Sequence, residues 1–169
     1  GGAGIGAGNA LGAVGGAPPH EGVLVGPANL IALAATRLDV ALDHVPIIDT
    51  GSLDPACLFS GLDAATTGGA AHDAVVQAVG VVLAGDADAL VTAPISKAAW
   101  GLAGHDDPGH TELIGRLAGG DPIMAFVGAE ADGAELRLAL ATVHEPIRAL
   151  PTLITRERLL AVLELFARE

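Results

Sequence analysis

The sequence predicts an α/β protein built in layers around a mainly parallel sheet. Short apolar runs of strand length alternate with longer segments of helical periodicity, which is the pattern of βαβ units. Hydrophobic residues make up 51% of the chain but aromatic residues only 2%, so the core must consist of Ala, Val, Leu and Ile. Because such a core buries little area per residue, a layered fold is favoured over a small barrel.

The first predicted βαβ unit lies in the amino-terminal third of the chain. Residues 22–26 (GVLVG) form a short apolar run, Pro27 suits the first position of a helix, and the apolar residues after it have helical spacing. A second apolar run at 45–48 contains Pro46, which favours an edge strand. Residues 52–69 are rich in turn-forming residues and predict no regular element.

The middle region predicts a helix over 71–84 that leads into a strand at 89–91. Gly85 and Asp86 end the helix, and its apolar residues fall at helical spacing: Val75, Val79, Val82 and Leu83. The run Ala89-Leu90-Val91 is apolar throughout, which predicts a strand of a parallel sheet covered on both faces.

The later region predicts a short helix, a hairpin and a final helix. Residues 111–117 predict a helix capped by Thr111, and the apolar runs 122–127 and 135–142 predict two strands of a β-hairpin. Thr155 is expected to cap the last helix. The predicted buried face of that helix consists of Leu159, Val162, Leu163 and Phe166.

Composition excludes several classes of function. The net charge is −12 with only eight Lys and Arg residues, which argues against binding nucleic acid because phosphates would be repelled. No apolar run approaches the ~18 residues needed to span a membrane, and no secretory signal pattern is visible. The single cysteine, Cys57, excludes an internal disulfide and fits a reducing cytoplasm.

The most informative stretch is Ala89–Glu112, which contains the only lysine, Lys97. A turn at Pro108-Gly109 precedes His110-Thr111-Glu112, and this pattern is typical of a helix start. Backbone amides at a helix start favour an anion, and His110 and Thr111 would add donors to a phosphate or carboxylate. Lys97 either faces a phosphate or a carboxylate or is an ordinary lysine on a helix surface.

The other histidines carry less information. His144 follows a predicted strand in Thr142-Val143-His144-Glu145 and is either the cap of that strand or a metal ligand. The remaining histidines are expected in linkers, on a helix surface or in a glycine turn: His20, His44, His72 and His105. The residues alone therefore predict an α/β domain with an anion-binding site.

Three consecutive motifs resemble the 4-hydroxythreonine-4-phosphate dehydrogenase family of vitamin B6 biosynthesis. They are GDADALVTAPISK at 85–97, PGHTE at 108–112 and LRLALATVHEPIRALPTLIT at 136–155, and the similarity covers about residues 66–169. The glycine-rich segment 1–20 resembles a remnant of that family's amino-terminal segment, because residues 2–6 read GAGIG. Residues 21–169 are then expected to form a partial α/β dehydrogenase domain without the family's carboxy-terminal half.

The resemblance implies the fold of isocitrate and isopropylmalate dehydrogenases and a homodimer. It implies oxidation of 4-phosphohydroxy-L-threonine with NAD and a divalent metal (Mg, Zn or Co), followed by decarboxylation. His110 and Thr111 would contact the phosphorylated substrate, and His144 would be one metal ligand. The resemblance assigns no role to Lys97.

Two alternatives remain open from the sequence. A dehydrogenase of a related four-carbon sugar-acid phosphate would carry similar motifs. A truncated, non-catalytic homologue is the second alternative, because one histidine cannot hold a catalytic metal against water.

Overall fold

The computed structural model describes residues 22–58, 60–61, 63–129 and 133–168, so the glycine-rich segment 1–20 lies outside the described residues. The chain divides into two compact units between Gly120 and Asp121. The first unit contains β1 (Leu24–Gly26), α1 (Ala28–Leu38), β2 (Ile47–Asp49), α2 (Ala65–Leu83), α3 (Lys97–Leu102) and α4 (His110–Ala118). The second contains β3 (Met124–Ala129), β4 (Glu135–Leu140), α5 (Leu150–Leu153) and α6 (Arg156–Phe166).

The first unit begins with the predicted βαβ arrangement. Strands β1 and β2 pair in parallel, with Leu24 opposite Ile47, and α1 connects them. The buried side chains of Leu24, Ala34 and Ala35 form one small core with the apolar residues around them. The strand at 22–26, the helix after Pro27 and the strand at 45–48 are thus confirmed within two or three residues.

The carboxylate of Asp49 joins the end of β2 to the start of α1. Pro27 stands at the N-cap position and offers no capping side chain. Instead, Oδ1 of Asp49 accepts hydrogen bonds from the amide of Ala28 at 3.0 Å and from the amide of Gly51 at 3.1 Å. These two bonds stabilise the charged carboxylate and lower the pKa of Asp49.

A second core in the first unit is formed by α2, α3 and α4. Its buried residues are Val75, Val79, Trp100 and Leu113. At Gly68, α2 approaches α3 so closely that a Cβ atom would lie 1.9 Å from the carbonyl oxygen of Ala99. The helix predicted over 71–84 begins earlier, at Ala65, within the stretch for which no regular element was predicted.

The strand predicted at 89–91 is absent, and that prediction is wrong. Residues 89–96 have no regular secondary structure, and no described strand pairs with them. Val91 is 87% exposed. A strand needs hydrogen-bonding neighbours, so an apolar run alone does not make one.

The second unit contains the predicted antiparallel hairpin. Met124 of β3 is opposite Leu140 of β4. Thr155 caps α6, because its hydroxyl accepts a hydrogen bond from the amide of Arg158 at 3.2 Å. Of the apolar face predicted for α6, Val162 is buried, whereas Leu163 is 60% exposed.

These elements confirm the predicted α/β class, with one parallel and one antiparallel pair of strands among the described residues. Among the described residues, no helix has both the length and the apolar character needed to cross a membrane.

The contact at Gly68 makes a first prediction about stability. Gly68→Ala should lower the free energy of unfolding by roughly 1–3 kcal/mol or more, because the added methyl overlaps the backbone of Ala99. Chemical denaturation measures this change. Gly80→Ala in the same helix is the matched control, since nothing lies within 4 Å of its Cβ position and alanine favours helix by about 1 kcal/mol. Equal stability of both variants would contradict the close contact.

Candidate functional site

The candidate site is built around Trp100, which is fully buried. Trp100 lies on α3, a helix capped by Ser96, whose hydroxyl accepts a hydrogen bond from the amide of Ala99 at 3.2 Å. The indole packs in the same core as Leu113 of α4, which is also fully buried. Both helices thus pack into one core with Val75 and Val79 of α2, and this shared core holds the start of α4 in place.

The start of α4 lies where the Pro-Gly-His-Thr-Glu pattern predicted it, but its cap differs. Helix α4 begins at His110, and Gly109 is the N-cap residue with φ of 173°, an extended conformation open to any residue. Thr111 lies inside the first turn, so the prediction that Thr111 caps this helix is wrong. Because its hydroxyl is not used for capping, exposed Thr111 is free to act as a donor at the helix start.

The imidazole of His110 is half-buried and packs edge-on against Trp100, with ring centroids 5.7 Å apart. Its Nε2 atom is buried and has no hydrogen-bond partner among the described residues. Burial lowers the pKa of His110 below its ordinary value because it disfavours the charged form. His110 is therefore neutral at pH 7, and it can donate a hydrogen bond without supplying charge.

Lys97, the first residue of α3, lies beside this helix start. A methyl group placed on buried Gly109 would lie 3.5 Å from Cε and 3.7 Å from Nζ of Lys97. The same methyl group would lie 3.5 Å from Oε2 of Glu112. The structure thus brings His110, Thr111 and Lys97 to one place, at the first turn of α4.

A second polar cluster borders the same core. The rings of His72 and His105 stack with centroids 3.6 Å apart and planes 4° apart, and His72 also contacts Trp100 edge-on at 5.3 Å. Nε2 of His72 lies 3.6 Å from Oδ2 of Asp107. Arg116 holds Asp107 with two hydrogen bonds of 3.2 and 2.6 Å, which lower the pKa of that carboxyl.

The burial of His72 was missed, because a helix-surface position was expected for it. Its residue exposure is 9%, and neither ring nitrogen has a hydrogen-bond partner among the described residues. Residues 72, 75 and 79 are separated by three and four positions, so they lie on one helix face. The spacing of His72 to Val75 and Val79 could therefore have indicated that His72 is buried.

His144 lies in the second unit, in the loop after β4. Its side chain is exposed, and its backbone is in the left-handed region with φ of 58°. This conformation is uncommon for a residue other than glycine, and it occurs often at functional sites. In the described parts of the chain, no group of three or more His, Cys, Asp or Glu residues could hold a metal ion.

The fold is that of an α/β protein, and its candidate site lies at the start of α4 in the first unit. The family model of the pyridoxal phosphate biosynthetic protein PdxA matches residues 23–169. The chain belongs to this family.

Individual relatives agree with the family match. A 4-hydroxythreonine-4-phosphate dehydrogenase from Geobacter metallireducens is 38% identical over 125 residues, which cover 74% of this chain and 36% of the relative. One from Synechococcus sp. (strain RCC307) is 35% identical over 177 residues, which cover 98% of this chain and 54% of the relative. The chain thus spans between about a third and a half of the length of these relatives.

Solved structures show the same similarity in three dimensions. A Salmonella typhimurium chain provisionally described as a 4-hydroxythreonine-4-phosphate dehydrogenase superimposes with a TM-score of 0.81 at 25% identity, covering 96% of this chain and 54% of that chain. A 4-hydroxythreonine-4-phosphate dehydrogenase from Klebsiella pneumoniae gives 0.63 at 30% identity, covering 73% of this chain and 36% of that chain.

The ion pair of Asp107 predicts a pH dependence of stability. Arg116 holds the pKa of Asp107 below its unfolded value of about 3.9, so the pair stabilises the fold above that pH and loses its contribution as pH falls through the folded pKa. Asp107→Asn should therefore lower stability at neutral pH and flatten its decline below about pH 4. Thermal unfolding across a pH series measures both effects.

Asp106→Asn is the matched control for that experiment. Asp106 is the exposed neighbouring carboxylate and forms no ion pair among the described residues. If stability falls with the same slope below about pH 4 in Asp107→Asn and in the unmodified protein, the ion pair of Asp107 and Arg116 contributes nothing to stability.

Proposed function

We propose that this chain is part of a dehydrogenase that oxidises 4-phosphohydroxy-L-threonine in pyridoxal phosphate biosynthesis, using NAD and a divalent metal. The family match over residues 23–169 is the observation that carries the proposal. We also propose that the enzyme acts as a cytoplasmic homodimer. Segment 1–20 is assigned to the amino-terminal part of the family's chain, and 21–169 to part of its dehydrogenase domain.

His110 and Thr111 are proposed to bind the phosphate of the substrate. The first turn of α4 carries backbone amides without helical partners, and these amides favour an anion. Thr111 is exposed there, and its hydroxyl makes no hydrogen bond within the described parts of the chain. An amide, a hydroxyl and a neutral imidazole together can donate to several oxygens of one phosphate.

The proposed reaction converts a secondary alcohol to a ketone. When bound, NAD would supply the oxidant for this step: the carbon that bears the hydroxyl would lose a hydride to it, the hydroxyl would lose its proton, and the resulting β-keto acid would then lose carbon dioxide. In this reaction the phosphate does not change, so its binding serves to position the reacting carbon. The role proposed for His110 and Thr111 is therefore orientation of the substrate.

His144 is proposed as one ligand of the divalent metal. A neutral imidazole is a common ligand of such ions, and His144 is exposed in a loop. The described residues do not by themselves form a metal site, because a catalytic site of this kind has three protein ligands. No step of the reaction is therefore assigned to the metal.

The role of Thr111 is tested by Thr111→Ala in the protein that carries this segment. Loss of one neutral hydrogen bond should raise KM for 4-phosphohydroxy-L-threonine by about three- to tenfold, while alanine leaves helix stability equal or higher. Steady-state kinetics and thermal unfolding measure the two effects. Thr66→Ala, at an exposed position of α2, is the control. Unchanged KM for Thr111→Ala would remove this residue from the site.

Metal-dependent turnover tests the function itself and the role of His144. NADH formation with 4-phosphohydroxy-L-threonine should depend on added Mg²⁺, Zn²⁺ or Co²⁺, and His144→Ala should abolish it because a ligand is lost. His44→Ala, which removes an exposed histidine of the first unit, is the control and should keep full activity.

Two outcomes would favour the alternatives. Preference for a four-carbon sugar-acid phosphate, measured as a higher kcat/KM, would identify the related dehydrogenase. Absence of turnover with either substrate and every metal would identify a non-catalytic homologue.

A further inference from the structure

We propose that Lys97 supplies the positive charge that binds the phosphate of the substrate at the start of α4. The identity of this substrate rests on the function proposed above. The location of the charge rests on the geometry of α3 and α4.

The position of Lys97 is the first argument. Its Nζ atom lies within 3.7 Å of the Cβ position of Gly109, the N-cap residue of α4. Lys97 begins α3, and α3 is anchored by Trp100, which is fully buried. The lysine side chain therefore extends from α3, whose position is fixed, across Gly109. Its ammonium lies next to the first turn of α4.

The electrostatic cost of this position is the second argument. The start of a helix carries a partial positive charge, so a cation placed there is disfavoured unless an anion joins it. Lys97 takes part in no hydrogen bond or ion pair within the described parts of the chain. The carboxylate of Glu112 borders the same N-cap and offsets part of this cost, but it forms no ion pair with Lys97, so the ammonium has no direct partner in the described parts of the chain. A bound phosphate would satisfy the ammonium and the free amides together.

The other groups near this helix start cannot supply the charge. Thr111 is uncharged, and burial lowers the pKa of His110, so its imidazole is neutral at pH 7. Arg116 belongs to the same helix, but it is held by Asp107 through two hydrogen bonds. Of the groups that these contacts place around the first turn, Lys97 is the cation that remains available to a ligand.

The test compares Lys97→Met, Lys97→Arg and the unmodified residue in the protein that carries this segment. Methionine keeps an apolar stem against Gly109 and removes the charge. Loss of a charge-assisted bond should raise KM for 4-phosphohydroxy-L-threonine about ten- to a hundredfold, with kcat changing less. Lys97→Arg should restore much of the affinity, which a purely structural role of the stem would not predict.

Binding of inorganic phosphate, measured by calorimetry, gives a readout independent of turnover. The dissociation constant should rise about tenfold or more in Lys97→Met. Arg37→Ala is the matched control, since it removes one exposed positive charge of the first unit at the end of α1 and should leave phosphate binding unchanged. Circular dichroism confirms that each variant is folded.

The outcomes separate this proposal from the proposed function. If the unmodified protein turns over its substrate and Lys97→Met changes KM and phosphate affinity less than about twofold, the role of Lys97 is overturned while the function stands. If no substrate is oxidised but Lys97→Met weakens phosphate binding, the function is overturned and Lys97 remains the anion contact. If the unmodified protein neither turns over nor binds phosphate, both proposals are overturned.

Discussion

The geometry of the candidate site depends on the close approach of α2 and α3. At Gly68 the two helices leave no room for even one methyl group, because the backbone of Ala99 occupies that space. Helix α3 carries Lys97 at its start and Trp100 in its middle, and α4 packs on the same core through Leu113. A single small residue on α2 therefore determines where the two helices that carry the candidate site can lie.

The core beside the site contains more unsatisfied polar atoms than a small aliphatic interior would be expected to tolerate. Nitrogens of His72, Trp100 and His110 are buried without hydrogen-bond partners among the described residues. Each such group costs roughly 1–3 kcal/mol relative to a satisfied one. Local conflicts of this kind are expected where function constrains a sequence more strongly than stability does. Their proximity to α4 agrees with a binding role for this part of the first unit.

The sequence predicted the elements whose signals are local. Apolar runs next to Pro27 and Pro46 located β1, α1 and β2, and Thr155 marked the start of α6. The prediction at Ala89–Val91 was wrong because strand formation requires a hydrogen-bonding neighbour, which apolar composition does not reveal.

For the site, motif order was more informative than composition. The pattern at 108–112 located the start of α4, but it assigned the cap to Thr111, although the helix begins one residue earlier. The contacts between Lys97 and Gly109, and between His72 and His105, join residues distant in sequence. Such contacts depend on how the helices pack, so local patterns could not predict them.

Because the chain as a whole is negatively charged, the few charged groups near the start of α4 matter most for binding an anion. With a net charge of −12, the average field of this chain repels any anionic ligand. Charges separated by more than about 8 Å are largely screened at physiological ionic strength, so distant carboxylates weaken binding little and distant arginines strengthen it little. Affinity for a phosphate is then decided by the few groups in direct reach. At the start of α4 these are uncharged donors, the ammonium of Lys97 and the carboxylate of Glu112. In the proposed site, neutral donors would fix the direction of the phosphate oxygens, whereas the ammonium would set how strongly the phosphate is bound.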